Sequence, residues 1–158
     1  GKWSKAQSLS PSGTECVNLN VVLDADGNAM AIWEKIQERR HEIMTAYQAV
    51  GQPWKEPLLI SDEQSPCFKP KIQACGANRF IAVWEEQNKE RSTIQGRLFD
   101  GNDWLSAECV SKGEQCKDAS IAVGKNKGSM AWLKQGKDGA WRAVYAHFKI
   151  SNTEKLSP

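Results

Sequence analysis

Five cysteines are the side chains in this sequence best suited to nucleophilic, redox or metal chemistry. Cys16, Cys67 and Cys116 follow one another at intervals of 51 and 49 residues. Positions repeated at such a distance lie too far apart for their sulfurs to bond, and the sequence has no C-x-x-C pair that would indicate zinc. We therefore expect three small buried packing residues rather than reactive thiols. Cys109 and Cys116 are close enough in sequence to form a disulfide in an oxidising compartment.

Acidic and imidazole side chains add little chemistry. The segment 24–28, DADGN, resembles the start of a calcium loop, but an EF-hand loop has glycine at its sixth place and Gly27 stands fourth. We interpret the segment as a hairpin turn, for which Asp and Gly are suited. His41 and His147 have no acid and nucleophile close to them in sequence, and no Walker, Rossmann, G-x-S-x-G or H-E-x-x-H motif occurs. The sequence therefore predicts no metal, no cofactor and no catalytic residue.

Composition and charge narrow the classes of function. The chain has 158 residues and a net charge of +2, which is typical of neither a basic nucleic-acid-binding arm nor an acidic tail. Hydrophobic residues make up 40% and charged residues 25%, so an ordered domain is expected. No apolar run is long enough to span a membrane, and the segment 1–10 has no apolar signal-peptide core. We expect a soluble chain with no nucleic-acid or membrane partner, in an unknown compartment.

Repeated positions are the most informative feature of the sequence. Four series share one interval of about 50 residues. They are Trp3, Trp54 and Trp104; Trp33, Trp84 and Trp132; Cys16, Cys67 and Cys116; and Ser10, Ser61 and Ser111. Four series in register indicate a repeated structural unit, so we interpret these positions as structural.

Each repeat predicts four short strands. In the first repeat they cover 17–23, 28–34, 42–48 and 55–61, separated by a tight turn and polar connections. A helix over 34–48 is the alternative, but its counterpart in the second repeat carries Ser, Thr and Gly, which are poor helix formers. One face of the third strand alternates large, small and large side chains. The three predicted faces are Ile43, Thr45 and Tyr47; Ile94, Gly96 and Leu98; and Val144, Ala146 and Phe148.

Four-stranded units repeated every 40 to 50 residues or so are typical of a β-propeller. The stretches 27–34, 79–111 and 128–148 resemble the blades of sialidase-like bacterial propellers of the BNR or Asp-box type. In that family a strand ending in A-V-W precedes one like I-x-A-R-x-F, and G-x-x-W then leads to a strand ending in serine. The resemblance implies an all-β propeller fold. The family's Asp-box turn is reduced here to Asp100, Gly101 and Trp104.

The same resemblance also bears on catalysis. Sialidase chemistry would need an arginine cluster, a tyrosine nucleophile and acids on the central face. The chain has only two tyrosines, Tyr47 and Tyr145, and its arginines fall at unmatched positions of the repeat. We therefore predict that the chain is not an enzyme.

Strand content suggests how the repeats are organised. We predict that 1–15 is an outer strand completing a neighbouring blade, that 16–66 and 67–115 are two whole blades, and that 116–158 is a third blade with a weak or missing outer strand. Two copies would then close a six-bladed ring as a homodimer. Alternatively, the third blade has its own shortened outer strand. The chain would then be a piece of a longer propeller, or would form an assembly with another number of copies.

Three functions remain open at this point. The favoured one is a non-catalytic propeller module that acts as an interaction scaffold or binding platform. The second is a lectin-like module that binds glycans between blades on aromatic side chains. The third is a fragment of a degenerate sialidase-like glycosidase propeller. Fold alone does not decide among them, because propellers host many functions.

Overall fold

The chain folds into three antiparallel four-stranded sheets in the computed structural model, which describes residues 2–89, 91–124, 127–150 and 156–157. The first sheet contains β1 (Glu15–Leu23), β2 (Ala29–Gln37), β3 (Arg40–Gln48) and β4 (Leu58–Leu59). The second contains β5 (Cys67–Gly76), β6 (Arg79–Asn88), β7 (Arg91–Phe99) and β8 (Glu108–Cys109). The third contains β9 (Cys116–Val123), β10 (Lys127–Gln135), β11 (Trp141–Ile150) and β12 (Leu156–Ser157). The all-β prediction is confirmed, and the alternative helix over 34–48 is wrong.

The second strands of the first two sheets are buried on both faces. Continuous apolar runs at 29–33 and 80–84 supply these buried side chains. A continuous apolar run is typical of a strand that is buried on both faces, whereas alternation of apolar and polar residues is typical of a sheet with one face exposed to solvent. Within the described residues no helix is long and apolar enough to cross a membrane.

The sheets pack face to face in chain order. Between the first and second sheets one apolar cluster joins Ile32 and Ile43 to Phe80 and Trp84. A second cluster joins Ile81, Val83 and Ile94 of the second sheet to Ile121 and Met130 of the third. The middle sheet therefore contributes both faces to the core.

The third sheet has its own fourth strand. The backbone of β12 pairs with the end of β11, although residues 151–155 and 158, which make up most of the segment with the weak outer strand, lie outside the described residues. The segment 2–14 forms no strand. Its predicted role as the outer strand of a neighbouring blade stays a prediction. Leu9 within it packs against Trp33.

The predicted face of the third strand is wrong in the third repeat. Trp33 and Trp84 lie opposite residues 11 positions later, Met44 and Gln95, but Trp132 lies opposite Val144, 12 positions later. Since side chains alternate along a strand, one extra residue transfers every side chain to the other face. The face of Val144, Ala146 and Phe148 consequently packs toward the second sheet, while its predicted equivalents in the first two sheets point toward the following sheet.

One face of the first sheet carries an exposed apolar stripe. Leu19, Val21 and Leu23 alternate along β1 and are 66%, 58% and 67% exposed. The counterparts of Val21 in the next two sheets, Ile72 and Ile121, are only 2% and 7% exposed because the preceding sheet covers them. The stripe therefore lies where, in the other two sheets, the equivalent residues contact a preceding sheet.

Candidate binding site

Buried glutamates link neighbouring sheets. Glu34 follows Trp33 in β2 and is almost fully buried. Its carboxylate accepts a hydrogen bond from the backbone N–H of Lys69 in the second sheet at 3.1 Å and from the side chain of Asn18 at 2.8 Å. His41 Nδ1 lies 2.6 Å from its other oxygen. Both oxygens are therefore occupied, and the hydrogen bond from Lys69 links the first sheet to the second.

The same arrangement recurs between the second and third sheets. Glu85 accepts a hydrogen bond from the backbone N–H of Asp118 at 2.7 Å. The ammonium of Lys69 lies 3.3 Å from Glu85 and 2.7 Å from the Asp118 carboxylate. The third sheet has Leu133 at the equivalent place, so no carboxylate stands at that position of its outward face.

A bulge in each first strand makes these contacts possible. Asn18, Lys69 and Asp118 have φ angles of 53°, 51° and 54°, and the strand register shifts at each of them. The extra residue of a β-bulge leaves its backbone unpaired in the ladder. At Lys69 and Asp118 that free N–H meets the glutamate of the preceding sheet.

Asp24 makes a further link at the other end of β1. Its carboxylate accepts hydrogen bonds from Asn28 within the turn and from the backbone N–H of Asn78 in the second sheet at 2.6 Å. Burial opposes ionisation of Asp24, but these hydrogen bonds outweigh it, so its pKa is lowered. Gly27 occupies the turn with a φ of 86°, as the predicted hairpin requires. Asp24 is thus a structural acid.

The repeated serines and two of the repeated cysteines meet where one sheet passes into the next. Ser61 and Ser111 each use the hydroxyl oxygen to accept a backbone N–H, from Ile43 and Ile94. Burial raises the pKa of Cys67 to about 12, although Ser61 and the indole of Trp84 act in the opposite direction. Cys116 is likewise buried, with a raised pKa. Cys67 and Cys116 lie within the apolar clusters on the two sides of the second sheet.

The other three cysteines differ in exposure. Cys16 is exposed, because no preceding sheet covers the start of β1. Cys109 is also exposed, and both Cys109 and Cys116 carry free thiols, so the possible disulfide between them is absent. Cys75 is buried and its pKa is raised to about 11 by burial.

The two tryptophan series have different environments. Trp33 and Trp84 are buried within their sheets, and Trp132 is half-buried. Trp54 is half-buried against the Trp33 cluster, and Trp104 packs 5.6 Å from the Phe99 ring. Trp3 is fully exposed. The series at 33, 84 and 132 therefore carries more of the core than the series at 3, 54 and 104.

Arg97 fills the interface between the first and second sheets. Its guanidinium donates hydrogen bonds to the backbone carbonyls of Ile60 at 2.8 Å, Trp104 at 3.3 Å and Leu105. Ile60 belongs to the first sheet's outer region and the other two to the second sheet. Burial lowers the pKa of Arg97, which nevertheless stays a cation at neutral pH. One side chain thus bridges the two sheets through carbonyl groups.

A cavity occupies the equivalent place between the second and third sheets. Arg97 pairs with Ala82 in its sheet, and the residue in the same position of the third sheet is Ala146, which pairs with Met130. The cavity, which we call the inter-sheet cavity, has a volume of about 340 Å³. Its apolar lining includes Gly96, Val110, Met130, Trp132, Ala146 and Phe148. This volume lies within the range of small-ligand sites, about 300–1,000 Å³.

Polar side chains surround this apolar lining. Glu108, Lys112, Glu114 and His147 also line the cavity. Glu114 is held by Lys134 at 2.6 Å, while Glu108 is exposed. An apolar pocket with a few polar groups is the usual form of a binding site, which makes this cavity the candidate functional site.

One carboxyl group has a raised pKa. Burial, followed by the negative charge of Asp62, raises the pKa of Glu86. A pair of carboxyl groups, one with a raised pKa, is what glycoside hydrolysis uses. Gln95 donates a hydrogen bond to Glu86 at 3.4 Å. Among the described residues Glu86 is the one carboxyl group that carries this shift, and it lies away from the inter-sheet cavity lining.

Sequence reasoning did not find the cavity, Arg97 or the bridging glutamates. A signal for the glutamates was present, because Glu follows the repeated Trp at 33–34 and 84–85. The cavity had no such signal, since it depends on which face Ala146 takes. The fold and these contacts define an all-β protein of stacked four-stranded sheets, with neighbouring sheets joined by buried polar bridges.

Solved structures similar to this chain include propeller-type carbohydrate-active proteins. An endo-arabinase from Bacteroides thetaiotaomicron matches 94% of this chain with a TM-score of 0.61 and 15% identity. A glycosyl hydrolase from Bacteroides ovatus matches 82% with a TM-score of 0.52 and 14% identity. A structure from the GH130 family of mannoside phosphorylases, described as containing glycoside hydrolases that target β-1,2 mannosidic linkages, matches 83% with a TM-score of 0.53 and 14% identity.

These similarities show the fold alone. The chain spans 61% of the endo-arabinase, 51% of the glycosyl hydrolase and 49% of the GH130 structure. No protein-family model matches the chain, and no curated protein matches it. The propeller-type fold is therefore supported, whereas the narrower sialidase-like resemblance has no family match behind it.

Proposed function

We propose that this chain is a non-catalytic propeller module that binds a ligand in the inter-sheet cavity. The observation that carries the proposal is the cavity itself. It is an apolar space of about 340 Å³ beside Trp132, at a place that Arg97 fills in the neighbouring interface. A space left between otherwise well-packed repeats suits a ligand better than it suits the core, because protein interiors are normally close-packed.

The use of the buried acids supports a non-catalytic role. Asp24, Glu34 and Glu85 accept backbone N–H groups across sheet interfaces. A carboxylate already committed to such hydrogen bonds is a poor general acid or base, because a proton or substrate would have to displace its partners. The buried acids Asp24, Glu34 and Glu85 therefore stabilise the packing of the sheets.

Carbohydrate binding is the second candidate. The similar structures include an endo-arabinase and a member of the GH130 family of mannoside phosphorylases, and Trp132 and Phe148 give the cavity aromatic surface. Aromatic rings offer large apolar faces that stack on the apolar faces of ligands. A glycosidase fragment is the third candidate, and Glu86 with its raised pKa is the group that favours it.

A binding screen with a matched pair of variants tests the proposal. Saccharides and short peptides are titrated into labelled protein while the indole N–H signal of Trp132, assigned with Trp132→Phe, is followed. We expect a ligand that shifts this signal in the wild type and in Ala143→Leu but not in Ala146→Leu. Ala143 and Ala146 lie on the same strand, and Ala143 is on the face away from the second sheet.

Two results would contradict the proposal. One is that no compound shifts the Trp132 signal, or that Ala146→Leu leaves binding unchanged, which would place recognition elsewhere. The other is hydrolysis of an arabinan or β-mannoside that is lost in Glu86→Gln, which would make the chain an enzyme.

We also propose that two copies associate as a homodimer. The exposed stripe of Leu19, Val21 and Leu23 supports this, because its counterparts in the other two sheets are covered by a preceding sheet. Light scattering after size exclusion should give the mass of two chains, against 17.6 kDa for one. Val21→Asp should shift the mass toward one chain, since a charge in an apolar contact is costly to bury. A wild-type mass of one chain would remove the proposal.

A further inference from the structure

Arg97 shows what kind of group this fold accommodates at a sheet interface. Its guanidinium lies between two sheets and donates hydrogen bonds to three backbone carbonyls. None of these three acceptors is a carboxylate. Phe99 and Trp84 occupy the same face of the sheet. A guanidinium suits such a place, since it is planar, weakly hydrated for a cation and able to stack on aromatic rings.

The inter-sheet cavity repeats part of this environment, namely one backbone carbonyl and two aromatic side chains. Val110 takes the place of Ile60, Trp132 that of Trp84, and Phe148 that of Phe99. The backbone N–H groups of Ile60 and Val110 donate to the carbonyls of equivalent residues, Ile43 and Ile94. The backbone therefore has the same position at Ile60 and Val110, and so do their own carbonyl groups. Ala146 replaces Arg97, so the counterparts of Ile60, Trp84 and Phe99 surround a space that no side chain of this chain fills with a guanidinium.

The charged groups around the cavity nearly balance, and one exposed carboxylate among them is placed to meet a cation. Glu108 and Glu114 line it, and Lys112 is the one lysine among its lining residues. Glu108 is exposed and free to approach a ligand, whereas Glu114 already contacts Lys134. An exposed carboxylate beside an aromatic cavity complements an arginine, which presents a charge and an apolar stem together.

We propose that the inter-sheet cavity receives the guanidinium group of an arginine side chain presented by a partner peptide. The inference rests on the proposed binding function and names its ligand class. The bound group would stack between Trp132 and Phe148 and donate to the Val110 carbonyl, as Arg97 donates to Ile60.

The direct test uses small arginine probes. N-acetyl-arginine methylamide is titrated against the wild-type protein while the Trp132 indole signal is followed, with the matching lysine and citrulline compounds as controls. Lysine keeps the charge but lacks the planar group, and citrulline keeps the shape but lacks the charge. We expect saturable binding of the arginine probe and binding at least about tenfold weaker for both controls.

Two variants test the geometry. Ala146→Arg should abolish probe binding and raise the melting temperature by about 2–4 °C, because the new side chain fills the cavity from within. Ala143→Arg, on the opposite face, should do neither. Arg97→Ala should lower the melting temperature, and saturating arginine probe should restore part of the loss, since it then has a second place to bind.

Several outcomes would overturn the inference. Equal binding of the lysine or citrulline probe would remove the specificity for guanidinium, and unchanged arginine binding in Ala146→Arg would place it at another site. A saccharide or an arginine-free peptide that shifts Trp132 and is blocked by Ala146→Leu would overturn the arginine assignment while preserving the binding function. Failure of every ligand at this cavity would remove both.

Discussion

Replacing Trp84 with alanine is expected to lower the free energy of unfolding by about 3–5 kcal/mol. Trp84 is 1% exposed and belongs to the apolar cluster that joins the first two sheets. Its loss would remove a large apolar surface and leave a cavity that the surrounding strands cannot close completely. Urea denaturation, followed by circular dichroism, measures the change.

Trp3→Ala is the matched control. Trp3 is also a tryptophan of the repeat series, but it is fully exposed in the single chain. Its replacement should leave the stability of the monomer within about 0.5 kcal/mol of the wild type. If Trp84→Ala proved as mild as Trp3→Ala, the packing between the first two sheets described above would be wrong. A large effect of Trp3→Ala only at high protein concentration would instead support a role of segment 2–14 in association.

Glu34→Ala should cost about 2–4 kcal/mol of stability, although Glu34 is an acidic residue. The substitution leaves the backbone N–H of Lys69 without its acceptor and removes the partner of Asn18 and His41. A buried donor without a partner bears its full desolvation cost, and a hydrogen bond to a charged group is stronger than one between neutral groups. Thermal or urea unfolding at neutral pH measures the loss.

Two further substitutions separate the buried bridge from ordinary surface charge. Glu34→Gln keeps one carbonyl oxygen as an acceptor and should cost less than Glu34→Ala. Glu114→Ala removes a carboxylate whose partner, Lys134, is 39% exposed at the side chain, and should cost little. Equal effects of Glu34→Ala and Glu114→Ala would mean that the bridge between sheets contributes nothing beyond a surface ion pair. Amide exchange at Lys69 should rise in Glu34→Ala, because its N–H loses the acceptor.

The repeat and its strands followed from the sequence because they depend on local patterns. The intervals of Trp, Cys and Ser, and the apolar runs before Trp33 and Trp84, are properties that can be read along the chain. The serine series also has a physical role, since Ser61 and Ser111 accept backbone N–H groups at the outer edge of their sheets. Strand ends were predicted less well. The connection expected over 35–41 is a two-residue turn, Glu38 and Arg39, and both strands are longer.

The candidate site did not follow from the sequence, for one physical reason. The repeat alignment placed Arg97 against His147, because it matched Leu98 with Phe148. The connection at 136–140 between β10 and β11 is longer than the two-residue turn at 38–39, and the register places Ala146 opposite Met130. Ala146 therefore takes the position of Arg97, and the cavity opens beside it.

The sequence by itself determined the all-β class, the three repeats and the order of strands within each. Only the tertiary structure decided which face of each strand packs against which neighbour, and hence that Glu34 and Glu85 bridge sheets while Ala146 leaves a cavity. A repeat can be recognised even when its alignment is wrong by one residue. The predicted face of a strand is then reversed, because side chains alternate at every residue. The proposed binding function depends on which faces of the strands meet.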